Sequence, residues 1–208
     1  KNREKAKYWF IKAAEAGDPS GYFDVGRLYH YGIGGDVDNT EAISWYKKAA
    51  DLNYGPAQNN LGAMYEAGNG VDIDLQQAFS YYQSAAQSND WGSSIAKDNL
   101  AGMYYNGEGV NQDYEKAAYW FKLAAKEDIS NSQYHLGVMY STGRGVELNY
   151  VEAFKYFRLA ANNGHVFSQI HLGNAFCSGQ GVAINYQQAV FWWRKAAKQG
   201  YRGATRQE

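Results

Sequence analysis

Cysteine is almost missing from this 208-residue chain. With Cys177 alone, no disulfide can close within it and no CxxC ligand pair of a structural zinc site exists. Cysteine usage therefore says nothing about redox compartment. An excess of one charge is missing too: 20 Lys and Arg stand against 21 Asp and Glu, a net charge of -1. No global basic field draws such a chain to nucleic acid or to an anionic membrane. No apolar run approaches the roughly 18 to 20 residues that span a bilayer, and the first residues, KNREKAKYWF, hold no signal-peptide core. The sequence predicts a soluble chain with no membrane insertion and no nucleic-acid partner. Export or a periplasmic location of a parent protein stays open, because targeting segments can be removed.

Proline is as scarce, at two, yet glycine reaches 23 and aromatic residues 16%. So much buriable surface excludes a disordered tail, and glycine in that number prompts a search for internal repeats. A Leu/Val-Gly step occurs at Val25-Gly26, Leu61-Gly62, Leu136-Gly137 and Leu172-Gly173, with Leu100-Ala101 as a variant copy. The spacings are 36, 39, 36 and 36 residues. Six residues after each step a G-x-G begins at Gly32, Gly68, Gly107, Gly143 and Gly179. Eleven residues after its second glycine comes an aromatic pair: Trp45-Tyr46, Tyr81-Tyr82, Trp120-Phe121, Tyr156-Phe157 and Trp192-Trp193, with an earlier copy at Trp9-Phe10.

Each period reads as two helices. Helix A, such as Pro56 to Ala67, carries Ala57, Leu61, Met64 and Tyr65 on one amphipathic stripe. Helix B, from about Leu75 to Ala86, buries Ala78, Tyr81, Tyr82, Ala85 and Ala86. Its starts carry the N-cap residues Asp38, Asp74, Asp113, Asn149 and Asn185, and its stops are Gly17, Asn53, Asn89, Gly164 and Gly200. Glycine inside helix A costs about 1 kcal/mol relative to alanine. Burying a large ring over the vacant side-chain position returns roughly 2 to 3 kcal/mol. The pattern therefore predicts a seam in which helix-B rings seat against the helix-A glycines.

These residues resemble the Sel-1-like repeat, the longer relative of the tetratricopeptide repeat. The copy AQNNLGAMYEAGNGVDIDLQQAFSYYQSAAQSN follows that pattern almost position by position, and the likeness covers essentially the whole chain. Departures are Gly35 where the pattern has Val, Ala101 for Gly, and three extra residues around Ser88 to Ser94. The resemblance implies an all-α fold, a right-handed α-α superhelix (solenoid), with helix A lining its concave side. The expected layout is one repeat array: helix B of a truncated repeat at 1–17, full repeats at 18–53, 54–89, 90–128, 129–164 and 165–200, and the start of a further helix A at 201–208. Both ends interrupt the pattern. A longer parent protein is therefore expected, and end-to-end self-association of this piece.

Catalytic and metal chemistry find no footing. The G-x-G steps follow no strand and form no phosphate-binding motif, and the Asp36/Asp38 and Asp72/Asp74 pairs lack the frame of a calcium loop. His135 and His171 share one column of helix A and read as neighbouring solvated imidazoles, not as a zinc site. Cys177 has no local activating motif, and Ser44-x-x-Lys47 lacks the partner motifs of a penicillin-recognising enzyme. No metal, no cofactor and no catalytic residue is expected; the chain is not read as an enzyme.

Recognition remains. The columns of helix A opposite its buried stripe hold Phe23, Arg27 and His30; Asn59 and Glu66; Asp98 and Tyr105; Tyr134 and Val138; Ile170 and Asn174. These vary while the framework repeats. They form either a partner-binding groove or a plain solvated face; the apolar members Phe23, Tyr105, Tyr134, Val138 and Ile170 favour the groove. Trp91, in the lengthened loop, is either a further contact or folded back over the adjacent helices. The expected function is a non-catalytic scaffold that binds a protein or peptide segment, as implied by relatives that act in bacterial signalling or contact host proteins. The alternative, also implied by relatives, is a regulatory subunit of an enzyme complex or a weak binder of β-lactams or cell-wall fragments. Those relatives carry cysteine pairs, and this chain has one cysteine.

Overall fold

The computed structural model describes residues 2–88 and 90–200, with side chains from residue 8 onward. Asn89, an expected helix stop, and residues 201–208, the expected start of a further helix A, lie outside the described residues. Among those described there are eleven helices and no strand. A lone helix B, α1 (Asn2–Glu15), comes first. Then A and B alternate along the chain: α2 (Pro19–His30) and α3 (Asn39–Asp51), α4 (Gly55–Ala67) and α5 (Leu75–Gln87), α6 (Ser93–Asn106) and α7 (Tyr114–Lys126), α8 (Ser130–Thr142) and α9 (Tyr150–Asn162), α10 (Val166–Ser178) and α11 (Tyr186–Lys198). They fall into two compact units, Lys1–Gln112 with α1 to α6 and Asp113–Glu208 with α7 to α11. No helix among the described residues is long and apolar enough to cross a membrane.

Local chemistry sets the helix ends. From α3 onward every helix B starts from a side-chain cap in extended backbone: Asp38, Asp74 and Asp113 each accept an N–H three residues on at 2.9 Å, and Asn149 and Asn185 do the same at 3.1 and 3.0 Å. The stops adopt left-handed backbone, where Asn53 (φ 59°) is joined by Asp128 (φ 60°), a position the glycine and asparagine pattern does not reveal. Helix α4 ends on Gly68 at φ 70°, and Ile73 closes the turn by packing over it; a Cβ there would meet the Ile73 side chain at 2.8 Å. The exposed aliphatic residues of these turns thus have a structural partner.

Within each unit the core is the expected seam. Tyr46 of α3 and Tyr82 of α5 lie over Gly26 and Gly62, and a Cβ added at either glycine would come within 2.6 and 2.7 Å of the ring. In the second unit Phe157 lies over Gly137 and Trp193 over Gly173 in the same way. In these four pairs it is the second ring that seats over the glycine. In two of them the first ring turns aside and stacks on a tyrosine of helix A, Tyr81 on Tyr65 and Tyr156 on Tyr140, both with centroids at 5.6 Å. A lysine of the preceding helix B covers each stack, Lys47 above Tyr65 and Lys122 above Tyr140.

A second tie between repeats is polar and buried. Gln58, Gln133 and Gln169 occupy one column of helix A, and each donates its Nε2 to a carbonyl near the end of the preceding helix B: Ala50, Ala125 and Ala161, all at 3.3 Å. In the second unit Asn163 donates to Gln133 at 3.3 Å and Gln199 to Gln169 at 3.0 Å. Each of these carbonyls also accepts a backbone N–H of the turn that follows, from Asn53, Asp128 and Gly164, so the glutamine fills the second lone pair of a carbonyl at a helix end.

Two stability experiments check this packing. Gly62→Leu loses about 1–3 kcal/mol by overpacking, although leucine is the better helix former by about 1 kcal/mol. Ala63→Leu, on the exposed side of the same helix, leaves the urea midpoint nearly unchanged; equal effects from the two would refute the seam. Gln169→Leu removes one of the hydrogen bonds to the Ala161 carbonyl, which still accepts the Gly164 N–H, and lowers stability by about 0.5–1.5 kcal/mol, whereas a wild-type denaturation curve would show the glutamine column to be idle.

Candidate partner-binding face of helix A

The two units present different chemistry on the columns three before, one after and four after the seam glycine. In the first unit Arg27 is exposed, 3.4 Å from Asp24, with its guanidinium 5.7 Å from the Phe23 ring centroid. Asn59 accepts from Asn99 of α6 at 3.0 Å, and Asp98 and Tyr105 on the same helix as Asn99 are half-buried. Glu66 accepts the Tyr82 hydroxyl at 2.6 Å, and His30 Nδ1 lies 3.2 Å from the Tyr46 hydroxyl while its ring stacks on Tyr31. Burial pushes both phenols up and His30 down from their ordinary values. These two face residues therefore also hold seam rings in register.

Phe23 corrects the sequence reading. Expected on the exposed face, it is only 4% exposed and belongs to the core with Tyr46, Ala50 and Ala57. The cause is the lengthened loop. Trp91 comes back edge-on to Phe23, with centroids 6.1 Å apart, and its indole N–H lies 3.4 Å from the Tyr54 hydroxyl; Tyr54 in turn packs against Phe23 at 5.4 Å. Trp91 nonetheless remains 66% exposed. It folds back and still offers an indole face to solvent.

In the second unit the same columns hold Tyr134, Val138 and Ser141 on α8, and Ile170, Asn174 and Cys177 on α10, with no charged side chain. Val138 and Ile170 are half-buried against the cores around Phe157 and Trp193, and exposed Asn174 accepts the Trp193 indole N–H at 3.2 Å. The histidines also differ from expectation. His135 and His171 are not free solvated rings: each lies flat on a helix-B aromatic, His135 on Phe121 at 4.8 Å and His171 on Phe157 at 4.4 Å. A phenylalanine in the seam leaves a flat apolar surface, and an imidazole from the next helix A covers it. Ser141, Tyr150, Phe157, His171, Asn174 and Gln180 line a cleft of about 240 Å³.

No group of three or more His, Cys, Asp or Glu side chains placed to hold a metal ion exists among the described residues. Cys177 is half-buried, and Ser44 and Lys47 are exposed on α3. The face presents an exposed guanidinium, carboxylates and an amide in the first unit, and half-buried aromatic and aliphatic side chains with neutral hydrogen-bonding groups in the second.

No curated protein matches the chain. Among solved structures, a protective antigen present in uropathogenic Escherichia coli strains superposes with a TM-score of 0.89 at 35% identity, covering 94% of this chain and 41% of the antigen. The chain thus spans about two fifths of that protein's length. A Sel1 repeat protein from Oxalobacter formigenes gives 0.86 at 26% identity, covering 98% of this chain and 85% of its own. Cysteine rich protein B of Helicobacter pylori gives 0.50 at 25% identity, covering 66% and 97%. The Sel1 repeat model matches residues 1–18, 19–54, 55–90, 94–128, 130–165 and 166–201. With paired helices, glycine-seated rings and six matched repeats in one chain, this all-helical solenoid belongs to the Sel1 repeat family.

Proposed function

We propose that the helix-A face is a docking surface for a protein or peptide segment, and that the chain serves as a scaffold in bacterial signalling or in contact with a host. Sel1 repeat proteins generally mediate protein–protein interaction and are typically non-catalytic. One observation carries the reading: the framework columns are consumed by packing, while the face columns vary in chemistry and keep solvent access at Arg27, Ala63, Tyr105, Tyr134 and Asn174. A face required only to be wet has no use for half-buried aromatic rings beside exposed polar groups. In the first unit, Arg27 suits an acidic or carbonyl-rich stretch. The uncharged face of the second suits aromatic or aliphatic side chains. The likeness to a protective antigen supports a role at the interface with a host. The single cysteine separates this chain from the cysteine-paired pattern of the binders in the alternative reading.

The test is capture of partners from a lysate by the wild-type chain, followed by variants. Arg27→Glu and Tyr105→Ala in the first unit, or Tyr134→Ala in the second, reduce recovery of a partner by tenfold or more, about 1.4 kcal/mol, with helical content retained. Phe23→Ala is the contrasting control: it loses about 3–5 kcal/mol of stability, because that ring is core. Undiminished recovery by all three face variants would move the docking surface elsewhere. Turnover of a β-lactam or a cell-wall fragment by the purified chain would replace the scaffold reading with an enzymatic one.

A further inference from the structure

Three imidazoles meet around one phenol in the second unit. The Tyr134 ring of α8 stacks on His165 with centroids 4.6 Å apart, and lies 5.3 Å from His135 and 5.9 Å from His171. His165 is also the N-cap of α10. In extended backbone (φ -65°, ψ 112°), its Nδ1 accepts the Ser168 N–H at 3.3 Å and lies 3.0 Å from the Ser168 hydroxyl oxygen. The other helix-A starts do not use an imidazole. Asp18 caps α2 with a carboxylate, at 3.4 Å from the Ser20 N–H and 3.2 Å from that of Gly21, while α4 and α8 begin at Tyr54 and Ile129 with no side-chain cap.

Accepting at Nδ1 requires a lone pair there, so the capping ring is neutral and carries its proton on Nε2. A protonated ring donates from both nitrogens. The Ser168 N–H would then face a donor, and because Ser168 is fully buried, water cannot take over as acceptor. The new positive charge would also stand at the positive end of the α10 dipole. The surroundings act in the same direction. From α8 the ring meets Tyr134 and His135, from α10 it meets Phe167 and His171, and the end of α9 that leads into it, Asn162 to Gly164, is uncharged. Burial first, then the charges of His135 and His171, hold His165 below the ordinary imidazole range. Burial likewise lowers His171.

We infer that His165 is an acid-sensitive helix cap, whose protonation releases the first turn of α10 together with the Tyr134 ring stacked on it. The helix-A face of the second unit is then ordered at neutral pH and loosened in mild acid. The sign follows from linkage. A histidine lowered in the folded state contributes fully above its unfolded value of about 6.5, and the contribution is lost as pH falls through the lowered value. The effect on partner binding rests on the docking reading above; the cap itself does not.

Amide hydrogen exchange by NMR on the 208-residue chain, corrected for intrinsic rates, tests the cap without a partner. Between about pH 7.5 and about pH 5.5, protection at Ser168 and its neighbours falls about tenfold relative to Gly21 in the Asp18-capped α2. His165→Asn, which caps without titrating, keeps α10 protected throughout. Imidazole ¹⁵N shifts of the wild type show an unprotonated Nδ1 at the upper pH, which holds the test open even if the variant fails to fold. Equal acid responses of α10 and α2, an unchanged acid loss in a folded His165→Asn, or a protonated Nδ1 at neutral pH would each overturn the inference. Partner recovery by Arg27→Glu and Tyr105→Ala in the first unit bears on the docking surface, and amide exchange of α10 measured without a partner bears on the cap, so the two readings fail separately.

Discussion

A ring pressed against a helix position that has no Cβ is the contact on which the rest of the protein depends. Helices brought this close need one side to give up its side chain, and Gly26, Gly62, Gly137 and Gly173 do so opposite Tyr46, Tyr82, Phe157 and Trp193. The arrangement accepts a helix-propensity cost of about 1 kcal/mol per glycine for burial of a ring that is worth more. It also fixes register. A ring seated over a single glycine cannot slide along helix A without meeting the Cβ of a neighbouring residue, so each of these four A–B pairs has one low-energy docking. The same device in both units accounts for their common local geometry.

That device was legible in the sequence because it leaves two marks at a constant distance, a glycine inside a helix and an aromatic pair downstream. The helix-B caps were legible for a similar reason: an Asp or Asn in fixed phase with the period serves one purpose, and the structure places Asp38, Asp74, Asp113, Asn149 and Asn185 at that purpose. The sequence alone does not show which ring of the pair enters the notch, since both are aromatic and adjacent. Nor does it reveal the glutamine column. Gln58, Gln133 and Gln169 are polar residues on helix A, and polarity argues for solvent until the carbonyl that each satisfies is seen in space.

The face of helix A was less legible, and the misreadings have one cause. Helical phase predicts which side of a helix a residue occupies, but not what a neighbouring loop or repeat lays over it. Phe23 has the phase of a face residue and is buried because Tyr54 and the returning Trp91 cover it. His135 and His171 have the phase of solvated residues and instead close over Phe121 and Phe157. Both cases need contacts from elements distant in sequence. A repeat lengthened by three residues hints at such a contact without naming its target.

The face and the seam are not independent layers. Glu66 and Asn174, counted by phase as partner-binding, hold the Tyr82 hydroxyl and the Trp193 indole N–H, and His30 lies within reach of the Tyr46 hydroxyl. Where the seam ring has no polar edge, as with Phe157, an imidazole from the next repeat supplies the cover and brings its own titration with it. The identity of the ring in the notch thus selects what stands above it: a hydrogen-bonding group beside tyrosine or tryptophan, a flat partner over phenylalanine. Varying the ring from repeat to repeat varies the surface chemistry while leaving the helix packing alone.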